Sequence, residues 1–371
     1  MVRITYILSV LGNTFAESNK KMVQLVDILS KPEMSLIAGL TDYFQSHKLE
    51  YEPESLYQDV AKSIGTAHAT FHCETRANPK LYLHKDQELI PYLTMLQKSG
   101  KKIFLITNSP FETVNAGMSY KVGESWRDLF DVIIVQAGKP HFFTNNSKPF
   151  RELEVGNNVF LWDTVTQLEK GKIYAGGKID DFQKLTGWMG GNVMYFGDHP
   201  YTDLADATLH HGWHTAAVIR ELEQELDKMN SEEFKWGVNW QQVLMALIDE
   251  NQSETEEESK QILEEWKEEM RILQDGLKSM FNPHFGSTFR TQNNPTFFSR
   301  KLFRFSDIYT SRVTNLHKYS LDSSFYPRRG VLPHEFKSWF VYTVNKIAVA
   351  LDTNPDLSGF MSRSSWIIIH P

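Results

Sequence analysis

With 371 residues, 41% of them hydrophobic and 13% aromatic, the chain carries enough apolar mass for one large domain or two modest ones. A net charge of −7, with no Lys/Arg face standing out, argues against a protein that binds nucleic acid by neutralising its phosphates. Cys73 is the single cysteine, which excludes a disulfide framework and a cysteine-rich metal site and points to a reducing compartment.

The apolar run Ile4–Leu11 is too short to span a bilayer, and neither a signal-peptide cleavage pattern nor an Arg-rich transit peptide is evident. The expectation is therefore a soluble, intracellular protein with no membrane partner. From Lys20 to Gln45 apolar residues recur at helical spacing, broken by Pro32, which predicts two helices. Tyr57–Gly65 and Asp86–Lys98 are predicted helical as well, so residues 13–100 read as an all-helical block. Then the period changes. Lys102–Ile106, Asp131–Val135 and Val193–Phe196 are short continuous apolar runs, the pattern of strands buried on both faces of a parallel sheet. Helical stretches at Pro110–Val122 and Asp180–Trp188 lie between them, which predicts α/β units. After Ala217 come charged amphipathic helices at Glu221–Met229, Trp240–Asp249 and Glu256–Met280, with the Glu-rich patch Glu254–Glu258 read as a solvated helix face. Phe281–Arg329 has little period and is expected to pack along a domain surface. The apolar stretches Phe340–Leu351 and Trp366–Ile369 suggest no architectural role.

Each predicted core strand ends in a polar signal. The first runs into Thr107-Asn108-Ser109, where a hydroxyl, an amide and the free N–H groups of a helix start could hold a phosphate oxygen. Ser109 before Pro110 equally fits a plain N-cap. The second leads to Gly138-Lys139-Pro140, a compact positive charge suited to a phosphoryl group. The third gives Gly197-Asp198 and, five positions on, Asp203, two carboxylates at a strand end and a helix mouth, suited to a hard cation such as Mg²⁺. Thr202 or Asp203 could instead cap the helix that stops at Gly212, whereas Asp198 is expected to be a buried carboxylate in need of a cation or donors. His68, His72 and Arg76 are looser candidates, with a surface role favoured.

The order Thr-Asn-Ser, Lys and Gly-Asp-x₄-Asp on three successive strands resembles the haloacid dehalogenase (HAD) superfamily of phosphohydrolases. Phe104–Phe111, Trp126–Val135, Leu168–Tyr174 and Tyr195–His199 are similar to the cytosolic purine 5'-nucleotidase family and, within it, to the 5'-nucleotidase domain-containing proteins; Asn282–Ser287, Phe289–Thr291, Phe305–Tyr309 and Phe325–Arg329 are similar to that subgroup. The likeness covers residues 13–335. It implies an α/β fold with a HAD-like Rossmannoid parallel sheet, a helical cap portion and a C-terminal helical extension. The corresponding divisions are a non-family start (1–12), the distal cap (13–100), the α/β core (101–220), a charged helical region (221–280), a family C-terminal segment (281–335) and a divergent tail (336–371). It also implies Mg²⁺-dependent hydrolysis of nucleoside 5'-monophosphates or other small phosphate esters. Thr107, Asn108 and Lys139 would hold phosphate, Lys139 and Thr107 would stabilise the transferring group, and Asp198 and Asp203 would hold the metal. A homo-oligomer and a cytoplasmic location are in keeping with it, or a mitochondrial one if a preceding segment carries a transit peptide.

One family motif is missing. No Asp-x-Asp-x-Thr, the source of the nucleophile, follows any apolar run: Asp180 and Asp181 are adjacent, and Asp352 and Asp356 are wrongly spaced. Without that strand two sheet edges would be left unpaired. The expectations are a shortened isoform or an incomplete gene prediction, or else Ile4–Leu11 filling the empty slot. In each case the chain by itself is expected to be inactive, and the alternative reading is a non-catalytic binding or regulatory protein of the same fold.

Overall fold

A computed structural model describes residues 30–144 and 147–326. The helix expected to end near Leu29, the proposed strand Ile4–Leu11 and the apolar stretches after Phe340 lie outside the described residues. Two compact units emerge, one drawing on residues up to Ser231 and on Leu277–Lys318, the other on Glu232–Gly276 and residues from Tyr319.

The first unit begins with helices α1 (Lys31–Ser46), α2 (Pro53–Ala77), a single turn α3 (Pro79–Tyr82) and α4 (Leu89–Lys98). Pro32 sits in the first turn of α1, where its missing N–H costs nothing, so it opens a helix. The helix expected at Tyr57–Gly65 runs on to 25 residues, because nothing after Gly65 breaks it before Asn78.

Strand β1 (Phe104–Ile106) is followed by α5 (Phe111–Lys121) and β2 (Val132–Val135), then β3 (Phe150–Glu154), β4 (Val159–Phe160), β5 (Ile173–Gly176) and α6 (Ile179–Thr186). These five strands form one sheet in the order β1-β2-β5-β3-β4. β1, β2 and β5 are parallel, whereas β3 runs antiparallel to β5. Alternation along β2 sends Val132 and Ile134 into one core cluster and Ile133 and Val135 into the other, so both faces are covered, as the unbroken apolar run requires.

A second sheet follows. β6 (Met194–Gly197) leads through a wide helical turn, Pro200–Ala205, into α7 (Asp206–His211) and β7 (His214–Val218). After α8 (Leu222–Asn230), and beyond the other unit, come the short hairpin β8 (Arg290–Thr291) and β9 (Asn294–Pro295) and helix α9 (Phe297–Phe305). β10 (Ile308–Thr310) then pairs parallel with β7, giving the order β10-β7-β6. The stretch Phe281–Arg329 is therefore more than surface packing. Phe298, Leu302 and Phe305 of α9 are buried against Leu204 and Ile219, and Asp307 accepts the amide of Thr215 at 2.9 Å.

Among the described residues, β1 ends the first sheet and β6 ends the second, the two edges expected if a strand between them is lacking. Side chains join them. Phe104 and Tyr195 stack with centroids 6.2 Å apart and planes 2° from parallel, and one apolar cluster takes in Ile106 and Ile134 from the first sheet with Tyr195 from the second and Val193 just before it. Each such aromatic side chain buries about 150–250 Å², so the cluster is an apolar link between the sheets.

The second unit contains α10 (Glu232–Asn251) and most of α11 (Glu257–Ser279). Trp240 donates its indole N–H to Glu269 at 2.7 Å, and Leu244 and Leu263 are buried. Glu254–Glu258 is solvent-exposed throughout, in keeping with a solvated face.

Candidate phosphate and metal site

Thr107 leaves β1 still hydrogen-bonded as a strand residue, its amide to Ile134 O at 3.0 Å. Its hydroxyl oxygen accepts the Ser109 amide at 3.2 Å, a local turn that leaves the hydroxyl proton to be donated elsewhere. Ser109 does not cap the helix. The N-cap of α5 is Pro110, with no side-chain cap bond. Asn108 reaches across to the next loop: its carboxamide accepts the Lys139 amide at 2.7 Å and donates to the Lys139 carbonyl at 3.0 Å. That reciprocal pair pins the loop after β2 to the end of β1.

Lys139 so held sends its side chain under β6. Its ammonium lies 2.6 Å from Asp203 Oδ1 and donates to the Tyr195 hydroxyl at 3.0 Å. Burial alone would lower the lysine pKa, but Tyr195 and Asp203, through charge and hydrogen bonds, outweigh it and hold it above the usual value. Tyr195 is itself buried, and desolvation pushes its hydroxyl up to about 12, so it stays neutral. Sequence reasoning passed over this residue. Inside an apolar run a tyrosine reads as core, and only its partners reveal the polar end.

The aspartates exchange the places expected of them. Asp203 is the buried one, 4% exposed, and Asp198 is exposed. Asp203 takes Lys139 on one oxygen and the His199 amide at 3.3 Å on the other. It is not the helix cap; that is His199, whose Nδ1 accepts the amides of Tyr201 and Thr202 at 3.1 Å each. Histidine is an uncommon cap, which is why the sequence did not signal it. Gly197 permits the approach: a Cβ there would lie 2.4 Å from Asp203 Cβ and 2.7 Å from its Oδ2. Although Asp198 is exposed by area, protein atoms crowd its carboxylate. Desolvation first, then the charge of Asp203, push its pKa up.

Two carboxylates crowded together against one ammonium leave a net negative charge, which a cation would relieve. Two carboxylates are also what a protein commonly contributes to Mg²⁺, the remaining positions going to water and substrate phosphate. To this extent Asp198 and Asp203 fit a hard divalent cation. No cluster of three or more His, Cys, Asp or Glu suited to a metal occurs among the described residues.

His68, His72 and Arg76 lie on α2 and contact one another or close neighbours: the two imidazoles meet edge to face at 4.6 Å, and Arg76 donates to Cys73 Sγ at 3.4 Å. Desolvation, then His68 and Arg76, lower the pKa of His72. The structure does not bring them to the loops that carry Lys139 and Asp203.

Thr107 and Asn108, Lys139 and the pair Asp198 and Asp203 thus follow three strands of the α/β part of the chain. The sequence profile of the 5' nucleotidase family matches residues 3–337. The chain belongs to the 5'-nucleotidase family. It is 46% identical over 318 residues to 5'-nucleotidase domain-containing protein 2 of Rattus norvegicus and, again over 318 residues, to that of Homo sapiens. These alignments cover 85% of the chain, but 57% and 61% of the relatives. A 5'-nucleotidase domain-containing protein of Dictyostelium discoideum is 38% identical over 320 residues, 84% of the chain and 54% of that protein. The chain thus spans about three fifths of the length of these members of the 5'-nucleotidase family. No described helix is long and apolar enough to cross a membrane.

Proposed function

We propose that this chain provides the phosphate- and metal-holding part of a 5'-nucleotidase site, binding small phosphate esters of the nucleoside 5'-monophosphate class, and that by itself it does not hydrolyse them. The observation that carries this reading is the buried Lys139–Asp203 pair at 2.6 Å, set against an exposed Asp198. An ammonium has three N–H groups. Asp203 and Tyr195 take two, and the third would meet a phosphoryl oxygen. The Thr107 hydroxyl, with its oxygen engaged by Ser109, would donate to a second oxygen, and Asn108 would keep the two loops in register. Asp198 and Asp203 would hold Mg²⁺, whose charge would help to neutralise the phosphate. What none of these residues supplies is a carboxylate to attack phosphorus, in agreement with the absence of Asp-x-Asp-x-Thr from the sequence.

The test is a phosphatase assay on the purified chain with Mg²⁺ and a panel of nucleoside 5'-monophosphates, run beside calorimetric titration with the same compounds. Binding without turnover, lost in Lys139→Ala, is the expected result. Mg²⁺-dependent turnover that disappears in Asp198→Ala would refute the inactive reading, and failure of every compound to bind would refute the site.

A further inference from the structure

The family-like segment Asn282–Ser287 plays no part in the phosphate site. It closes one side of a separate cavity of about 720 Å³, within the first unit, bounded by the start of α1, by α8 and by the start of α9. The segment is built to be rigid. Asn282 Oδ1 accepts the amides of His284 and Phe285 at 2.9 Å each, and its carbonyl accepts the Gly286 amide at 2.8 Å. Gly286 has φ +74°, and a Cβ there would lie 2.8 Å from Lys278 Cγ, so the turn requires glycine. Ser287 follows, its oxygen accepting the amides of Phe289 and Arg290 at 3.0 Å each. With its lone pairs so used, the Ser287 hydroxyl donates its proton to Glu225.

Glu225 is the unusual member. It lies in the amphipathic helix α8, where glutamates normally face water, yet it is 8% exposed and lines the cavity. Ser287 and the Thr288 amide bind its carboxylate, which can accept about four hydrogen bonds. Lys31, also in the lining, is shared between Glu221 at 3.4 Å and Thr288 Oγ1 at 3.1 Å. Glu221, Glu225 and Asp227 against Lys31 and Lys228 leave the lining negative by one formal charge, while Phe285 and Phe297 give it apolar walls. A pocket of a few hundred Å³ with apolar walls and a few converging polar groups is the usual form of a small-molecule site.

We infer that this cavity binds a small organic cation with a flat N–H edge, of the amidinium or guanidinium type, whose N–H groups meet Glu225 and whose body packs on Phe285 and Phe297. Charge pairing with a desolvated carboxylate and contact of a cation with aromatic faces act together on such a ligand, and a neutral isostere loses both. The site is independent of the phosphate reading: it shares no residue with Thr107, Lys139, Asp198 or Asp203.

Benzamidine is the probe, with neutral benzamide as its isostere, titrated into the intact chain with saturation-transfer NMR as the readout. The expected result is a Kd on the order of 1 mM for benzamidine and no measurable binding of benzamide. Glu225→Gln, which keeps an oxygen for Ser287 and Thr288, should weaken benzamidine at least tenfold. Phe285→Ala, at a ring 46% exposed and so safe for the fold, should weaken it several-fold and decides the matter if Glu225→Gln impairs folding. No transfer at about 10 mM benzamidine, equal binding of benzamide, or an affinity unchanged in these variants would overturn the inference.

Discussion

Tyr195 in β6 donates its hydroxyl proton to the carbonyl of Ile106 in β1 at 3.3 Å, a bond between strands that belong to different sheets. Odd-numbered residues of β1 hydrogen-bond toward β2, as the Thr107 amide does to Ile134, so the Ile106 carbonyl faces away from β2. A side chain thus satisfies an edge acceptor and, with the same oxygen, accepts from Lys139.

Tyr195→Phe should retain the ring packing and lose both polar contacts. Leaving Ile106 O and Lys139 each one partner short is expected to cost about 1–3 kcal/mol. Urea unfolding with the m-value held fixed would measure it. An unchanged midpoint would mean that water replaces the hydroxyl.

The Lys139–Asp203 pair is almost wholly buried, with side-chain exposures of 11% and 6%. Lys139→Met should strand the carboxylate and destabilise the protein by about 3–5 kcal/mol, whereas adding Asp203→Leu should recover most of that loss. A double-mutant cycle read by chemical denaturation gives the coupling directly. Additive single effects would show that the charges are solvated apart.

Gly197→Ala places a methyl group 2.4 Å from Asp203 Cβ. The side chain must move, so a loss of about 1–3 kcal/mol is expected, together with weaker phosphate binding as Asp203 withdraws from Lys139. Thermal melts and titration with a nucleoside monophosphate would report the two effects separately.

His199→Ala removes the acceptor of the Tyr201 and Thr202 amides. Loss of a cap of this kind costs about 1 kcal/mol. His199→Asn, a better cap by type, should restore most of it, and equilibrium unfolding of the two variants side by side tests the assignment.

Glu225 supplies a pH dependence. Desolvation raises its pKa above the ordinary 4.5, against the opposing effects of Ser287, Thr288 and Lys31. The folded protein then holds more protons than the unfolded chain just above pH 4.5, so this residue makes stability fall as pH rises through that window. The stability of Glu225→Gln relative to wild type should therefore rise from about pH 4 toward neutrality and then level off. Denaturation midpoints across that range would test it, and a difference that shrinks with rising pH would reverse the assignment.

The three core strands and their polar endings were legible because unbroken apolar runs of this length, bounded by turn signals, suit strands covered on both faces, and a hydroxyl, a lysine or an aspartate at such an end is costly without a purpose. The 5'-nucleotidase family was legible from the likeness of whole segments, such as Phe104–Phe111 and Trp126–Val135, to that family. β3–β5, β7 and β10 were not, since short strands with mixed composition have no period of their own and β10 finds β7 some ninety residues back. Local sequence likewise could not say which aspartate is buried, that a histidine caps the turn after β6, or that Asn108 spends its amide on a backbone.

The chain's own residues determined which groups follow the strands: Thr107 and Asp198 directly, Lys139 in the loop after β2 and Asp203 in the helical turn after β6. Only the tertiary structure decided that Lys139 is held by Asp203, 64 positions away, and by the tyrosine of a neighbouring sheet. Spacing sets where a side chain begins. A buried charge takes whichever opposite charge the packing leaves within reach, and that is a property of the assembled sheets.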